Sequence, residues 1–214
     1  MEDDGMKVHK KKICITVGVA FLVVVAIGIW AMADDSQMEK WGGILKEQSQ
    51  NYSDEVYAIG DMGEVLRSEI EQCVQFYMLS GMNEEEAMAQ AEDYMLKREA
   101  LYQEAIKQGY IVTDEEIWEY IDELKEFAEQ ADNKGEIQSI MNQFESEEAY
   151  WEYEFEVYKK NLPIQKYVKN VETEFKHKQQ MKKNNNIDLE TEWTAYFEEM
   201  KNQLLEEANF EIVK

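Results

Sequence analysis

Apolar residues recur every three or four positions along two consecutive stretches in the middle of the chain, which is the spacing of one face of an α-helix. Asn83 precedes the first stretch and can cap a helix together with Glu86, and Gly109 supplies the left-handed residue that ends it. Thr113 and Glu116 form the same kind of cap for the second stretch. The two stretches therefore predict a helical hairpin. It covers residues 83–127, and its apolar positions are Ala87, Ala91, Tyr94, Met95, Leu101, Ala105, Ile106, Ile117, Tyr120, Ile121, Leu124 and Phe127.

Two shorter helices are predicted on either side of this hairpin. The first begins at Ser68, which can form a capping box with Glu71, and it ends before Gly81. The second covers residues 136–144. Both carry apolar residues at helical spacing, so each is expected to pack one face against the hairpin.

A long helix and a final helix are predicted in the last third of the chain. Ser146 caps the long helix, and Pro163 is expected to kink or restart it because proline cannot donate an interior hydrogen bond. Residues 177–186 are polar and indicate a linker. Residues 189–208 again carry apolar and aromatic residues on one side and predict the last helix.

Two short extended segments complete the pattern. Residues 55–60 and 209–213 are strand candidates, and residues 61–63 form a turn after the first of them. Residues 34–54 are polar, and Gly42 with Gly43 is expected to break any long helix there, so this stretch is predicted to be a spacer. The folded body is accordingly expected to span residues 55–214.

The N-terminal residues have the pattern of a membrane-targeting segment. Lysines mark residues 1–12, residues 13–33 carry no charge, and two aspartates follow. An uncharged run of this length spans about 30 Å as a helix, the thickness of a bilayer core. The charge asymmetry places residues 1–12 in the cytoplasm and the body outside. A retained single-pass signal anchor is favoured because the run is longer than a signal-peptide core, and cleavage between Ala33 and Asp34, giving a secreted protein, is the alternative.

The hairpin sequence resembles that of the N-terminal chaperone domain of the SurA and PrsA family. The similarity is centred on LYQEAIKQGYIVTDEEIWEYIDEL, in which Gln103, Glu104 and Ala105 precede Gly109 and the capping turn that ends at Glu116. The segments VYAIGDMGEVLRSEI and SEEAYWEYEFEVYKKNLPIQKYV resemble the flanking parts of the same domain, although the turn at residues 61–63 departs from the family's usual turn sequence.

This resemblance implies a mainly α fold similar to SurA and trigger factor, in which a small two-stranded sheet pairs residues 55–60 with residues 209–213. It also implies that the chain binds unfolded or newly exported polypeptides without ATP. The family's parvulin prolyl isomerase domain would stand where this chain has only the linker of residues 177–186, so isomerase activity is not expected.

Composition and candidate chemistry narrow the function classes further. A formal net charge of −24 disfavours a nucleic acid partner, because the surface repels phosphates. The two histidines, His9 and His177, lie in charged tails or linkers with no implied nucleophile or orienting carboxylate. Cys14 and Cys73 are expected on opposite sides of the membrane and therefore unpaired. With no His/Cys cluster, phosphate loop or dinucleotide fingerprint, we expect neither an enzyme nor a bound metal or cofactor.

The aromatic residues of the helices are the best candidates for a binding site. Most are expected to be core residues, but together they exceed what one narrow stripe per helix can bury. We therefore predict that some line an exposed surface for apolar client segments, with Trp118, Tyr120, Trp151 and Phe155 as its candidate residues. Alternatives are a structural or scaffolding protein that docks one envelope partner through its helices, and an accessory subunit of a separate foldase.

A local reversal of charge lies near the end of the chain. Residues 159–183 contain eight lysines against Glu172 and Glu174. The favoured interpretation is an internal complement to the acidic hairpin. Contact with anionic lipid or cell-wall polymer is the alternative.

Overall fold

The computed structural model describes residues 35–51, 53–181 and 188–213, and within them the chain is mainly helical. The elements, in order, are α1 (Asp35–Gln50), β1 (Val56–Ile59), β2 (Glu64–Leu66), α2 (Arg67–Leu79), α3 (Glu84–Lys107), α4 (Asp114–Gln130), α5 (Lys134–Met141), α6 (Glu147–Met181), α7 (Leu189–Glu207) and β3 (Glu211–Ile212). Residues 13–33, the predicted anchor, lie outside the described residues. None of the helices in the described part is long and apolar enough to cross a membrane.

The two helices of the predicted hairpin are present as α3 and α4, but the prediction that they pack on each other is wrong, because each packs instead against α6. The Asn83 side chain accepts a hydrogen bond from the Glu86 N–H at 3.0 Å, and the Thr113 hydroxyl accepts one from the Glu116 N–H at 3.2 Å. Each glutamate carboxylate in turn accepts from the backbone N–H of its capping partner. Gly109 has φ of +85°, a conformation that glycine adopts without steric cost. Both capping predictions and the glycine stop are confirmed.

The first and last extended segments pair, as predicted, but they belong to a larger sheet than expected. β1 is the central strand, and it pairs antiparallel with β3 through Ala58 opposite Ile212 and Ile59 opposite Glu211. The expectation of two strands is wrong because the chain reverses through the predicted turn and returns as β2 along the other edge of β1. Val65 and Leu66 of β2 are buried, so this third strand also contributes to the core.

The N-terminus of α2 differs from the predicted capping box. The helix begins at Arg67, and the Glu69 carboxylate accepts a hydrogen bond from the Leu66 N–H at 3.0 Å. Ser68 is buried inside the first turn, where its hydroxyl donates to the Ser53 carbonyl at 3.1 Å. Ser68 therefore ties the helix to the segment before β1, and the predicted pairing of Ser68 with Glu71 as a cap is wrong.

Pro163 does not restart the long helix. α6 continues through it from Glu147 to Met181, which also takes the helix into the predicted linker. Pro163 is buried between Leu162 and Ile164. Packing of this part of α6 therefore holds the helical path although proline removes one interior hydrogen bond.

The predicted spacer is instead part of the folded body. α1 runs through Gly42 and Gly43 without a break, and Met38 and Trp41 on its inner face are each only 1% exposed. A Cβ atom on Gly42 would lie 2.6 Å from the Ile140 carbonyl oxygen, closer than such atoms approach. Gly42 is thus the position at which α1 contacts α5 most closely. The glycine is needed for this close helix contact and does not break the helix.

A partly buried ionic network joins α2, α3 and α6. Arg98 donates to Glu69 at 3.3 Å and to the Asn161 side-chain oxygen at 3.1 Å, and Lys160 lies 2.9 Å from Glu99. Burial opposes the ionisation of Glu69, but the attraction of Arg98 and Lys160 outweighs it and lowers the Glu69 pKa. This network fixes α6, which carries two of the candidate aromatic residues, against α2 and α3.

Candidate functional site

Three of the four predicted aromatic residues meet where α4 packs on α6. Trp118 projects from the second turn of α4 and stacks on Phe155 of α6, with ring centroids 4.7 Å apart and planes 18° apart. Trp118 remains 38% exposed, while Phe155 is partly covered. We call these two rings, with the side chains around them that reach solvent, the aromatic surface.

Trp151 supports the aromatic surface from the interior. Its side chain is 7% exposed and belongs to the main core together with Met38, Trp41 and Tyr158. Its indole N–H donates to a carboxylate oxygen of Glu147 one turn earlier, at 3.2 Å. Trp151 therefore does not itself line an open groove.

Tyr120 lies on a different side of α4 from Trp118. Residues two positions apart on a helix are separated by about 200°, so Tyr120 faces different neighbours from Trp118. Tyr120 packs against Tyr158 with ring centroids 5.0 Å apart, and burial raises the pKa of the Tyr120 phenol. The structure thus brings Trp118, Trp151 and Phe155 together and places Tyr120 in the neighbouring tyrosine packing.

Two lysines contact the same rings, and the sequence analysis did not identify them. The Lys125 ammonium lies 5.8 Å from the ring centroids of both Trp118 and Trp151, and the Lys159 ammonium lies 4.9 Å from that of Phe155. Lys125 is seven residues after Trp118 on α4, and Lys159 is four after Phe155 on α6. This spacing places each lysine on the same side of its helix as the ring, which the sequence alone could have shown. Only the packing of α4 on α6 shows that both lysines contact the same group of rings.

A carboxyl group with raised pKa lies in the tyrosine packing of α6. Glu154 sits among Tyr150, Tyr153 and Tyr158, and desolvation raises its pKa to about 7, although a hydrogen bond from Tyr150 opposes the shift. Tyr153 in turn accepts a hydrogen bond from the Gln72 amide at 3.0 Å. Near neutral pH this partly buried carboxyl group is therefore close to its titration point.

Most of the other aromatic and methionine candidates are core residues, the interpretation favoured for each one singly. Met95, Tyr150 and Tyr158 are buried, and Tyr94 and Tyr153 are partly buried. The sequence analysis missed a second set of exposed apolar residues at the end of the sheet. It consists of Ile59, Met62, Ile212 and Val213, close to an open crevice of about 400 Å³.

The lysines of the basic stretch are largely paired within the protein. Lys160 contacts Glu99, Lys166 lies 2.6 Å from Glu116 at the start of α4, and Lys176 contacts Glu172 and Glu190. These pairs support the interpretation that the stretch complements acidic helices of the same chain. Lys182 and Lys183 lie outside the described residues.

Candidate reactive groups are few in the described part of the chain. His177 is exposed on the outer part of α6, and no group of three or more His, Cys, Asp or Glu residues there could hold a metal ion. Cys73 is buried, and desolvation raises the pKa of its thiol to about 12, so the nucleophilic thiolate is not formed at neutral pH. The aromatic surface is the arrangement in the described residues best suited to bind another molecule.

No protein-family model matches this chain, and no curated protein and no solved structure does either. The resemblance to the chaperone domain of the SurA and PrsA family therefore stays a prediction from the quoted motifs.

Proposed function

We propose that this protein is a membrane-anchored, extracytoplasmic chaperone that binds unfolded or newly exported polypeptides without ATP and without prolyl isomerase activity. The observation that carries the proposal is the exposed Trp118 ring stacked on Phe155 and supported by buried Trp151. The uncharged run of residues 13–33 supports the membrane location, and the family resemblance supports the chaperone class.

The chemistry of the aromatic surface suits transient binding of varied apolar segments. An aromatic ring offers a large apolar area and accepts different partners on its face, because stacking and dispersion do not depend on one side-chain shape. Only part of the Trp118 and Phe155 rings is open to solvent, so each contact is small. Weak and reversible holding of a client is the expected result, and reversible holding allows the client to fold after release.

An aggregation assay tests this function with a matched pair of variants. The full chain in lipid nanodiscs is mixed with two unrelated, chemically unfolded client proteins, and light scattering is followed against empty nanodiscs. Trp118→Ala should weaken the suppression of aggregation for both clients. Phe127→Ala is the control, because Phe127 is an aromatic residue at least as exposed as Trp118 and lies nine positions along α4, on the opposite side of the helix.

Each outcome separates the function classes. Suppression with both clients that is lost in Trp118→Ala and kept in Phe127→Ala supports the chaperone. If the unmodified chain suppresses neither client, the chaperone function is refuted. Stoichiometric capture of a single envelope protein, with no effect on unfolded clients, would instead identify a scaffolding protein or an accessory subunit of a foldase.

A further inference from the structure

The carboxylates around the aromatic surface are the feature that bears on what it binds. Glu115 precedes Trp118 by three residues on α4, and Glu152 precedes Phe155 by three residues on α6, so each lies on the same side of its helix as the ring that follows it. Glu119, beside Trp118, is also exposed. In the described part of the chain, no cation lies within ion-pair distance of Glu115, Glu119 or Glu152.

The two lysines at the aromatic surface do not cancel this charge. Lys125 is held by Asp122 at 2.8 Å, and Lys159 is held by Glu156 at 2.7 Å. Each lysine is thus already neutralised by a carboxylate of its own helix. Counting the seven groups, five carboxylates face two ammonium groups, which leaves a local charge of −3 beside the exposed rings.

The rings themselves favour cations. Both lysines already lie over ring faces, at 4.9 to 5.8 Å from the centroids, which shows that the geometry here admits a cation on an aromatic face. Trp118 remains 38% exposed although Lys125 lies over its ring. A planar guanidinium can stack on such a ring while its N–H groups reach a neighbouring carboxylate, and the surface offers both partners together.

We infer that the aromatic surface selects client segments in which apolar residues are interrupted by arginine or lysine, over neutral or acidic apolar segments. This inference rests on the proposed function and names the class of polypeptide that the same surface takes. The apolar side chains would contact Trp118 and Phe155, and the client cations would pair with Glu115, Glu119 and Glu152. Because these pairs are exposed to solvent, the preference is expected to weaken as salt rises.

Labelled peptides of one length measure the selectivity. Three fluorescein-labelled peptides carry the same phenylalanine and leucine residues and differ only in having arginine, glutamine or glutamate between them. Fluorescence anisotropy with the full chain in zwitterionic nanodiscs gives each Kd at 20 mM and 300 mM salt. The arginine peptide should bind about tenfold more tightly than the glutamine peptide at low salt, as expected for several exposed charge pairs. The ratio should fall to about twofold at high salt.

A pair of double variants locates the effect. Glu115→Gln with Glu152→Gln removes two charges beside the rings and should lower the arginine preference to about threefold. Glu199→Gln with Glu206→Gln changes the net charge by the same amount on exposed positions of α7 and should keep the tenfold preference. Circular dichroism establishes that both double variants are folded.

The results separate this inference from the proposed function. Equal binding of the arginine and glutamine peptides at low salt overturns the selectivity while leaving peptide binding intact. An equal loss of preference in both double variants assigns the effect to total charge and overturns the local site. If none of the three peptides binds, the proposed function falls as well.

Discussion

The two adjacent glycines of α1 give a sharp test of the fold, because they differ only in what surrounds them. A Cβ atom on Gly42 would lie 2.6 Å from the Ile140 carbonyl oxygen and 2.9 Å from the Ile140 Cα. A Cβ atom on Gly43 would meet nothing within 4 Å. Substituting alanine for each glycine in turn therefore isolates the cost of the contact from the helix propensity, which favours alanine at both positions by about 1 kcal/mol.

The two substitutions are expected to change the free energy of unfolding in opposite directions. Gly43→Ala should gain most of the propensity term, between about 0.5 and 1 kcal/mol in the free energy of unfolding. In Gly42→Ala two of the three obstructing atoms belong to the Ile140 backbone and the third is Gln143 Cγ, so the two segments must move apart and the packing of Met38 and Trp41 must loosen. Overpacking costs about 1–3 kcal/mol, and three atoms within 3.0 Å put Gly42 in the upper part of that range, at about 2–3 kcal/mol. After the propensity gain of about 1 kcal/mol we expect a net loss of about 1–2 kcal/mol, so the two variants should differ by about 2–3 kcal/mol.

Thermal unfolding of the full chain, followed by circular dichroism, measures the difference. For a chain of this length, 1 kcal/mol corresponds to a shift in Tm of about 2–4 °C. Gly42→Ala should therefore lower Tm by several degrees, and Gly43→Ala should raise it by up to about 4 °C. If both substitutions raise Tm equally, α1 does not pack against α5, and residues 34–54 are the spacer that their polarity predicted.

Two further predictions concern partly buried ionisable groups. The pKa of Glu154 is raised from 4.5 to about 7 in the folded chain, so ionising this carboxyl destabilises the folded state. This destabilisation is absent below about pH 4.5, grows as the pH rises to 7 and is complete above pH 7. Glu154→Gln should therefore raise the free energy of unfolding in urea at pH 8 by up to about 3 kcal/mol and have little effect at pH 4. An equal gain at both pH values would refute the assignment. Arg98→Met should lower the free energy of unfolding by about 3 kcal/mol because it leaves the Glu69 carboxylate with a weaker partner, Lys160 at 3.7 Å. Adding Glu69→Gln should recover part of that loss, and no recovery would show that the cost comes from packing rather than charge.

The sequence predicted those parts of the fold whose signals are local. The caps at Asn83 and Thr113 depend on residues three positions apart, and the structure has them as predicted. The pairing of the terminal strands also followed, through the family resemblance. The predictions of a helix break at Gly42 and a helix restart at Pro163 were wrong for a common reason. Gly42 and Pro163 are unfavourable inside isolated helices, but each lies where the helix packs closely on another element, and tertiary contact outweighs local propensity.

The sequence predicted an aromatic binding surface but could not supply its arrangement. Of the four candidate residues Trp118 is exposed, Tyr120 and Phe155 are partly buried and Trp151 is buried. Which rings surround it depends on the register between α4 and α6, and no local pattern contains that register. The contact of Trp118 with Phe155, the burial of Trp151 and the position of Lys125 all follow from it.

The placement of α1 also bears on how the proposed anchor and the proposed binding surface are connected. Met38 and Trp41 of α1 belong to the same core cluster as Trp151, on which the aromatic surface rests. The segment that directly follows the apolar run of residues 13–33 is thus continuous, through buried side chains, with the packing beneath Trp118. A flexible tether would let the body turn freely relative to the anchor. A helix packed into the core instead fixes the aromatic surface relative to the first residues of the body, so that Gly42→Ala, which loosens α1, is expected to disturb the surface as well as the stability.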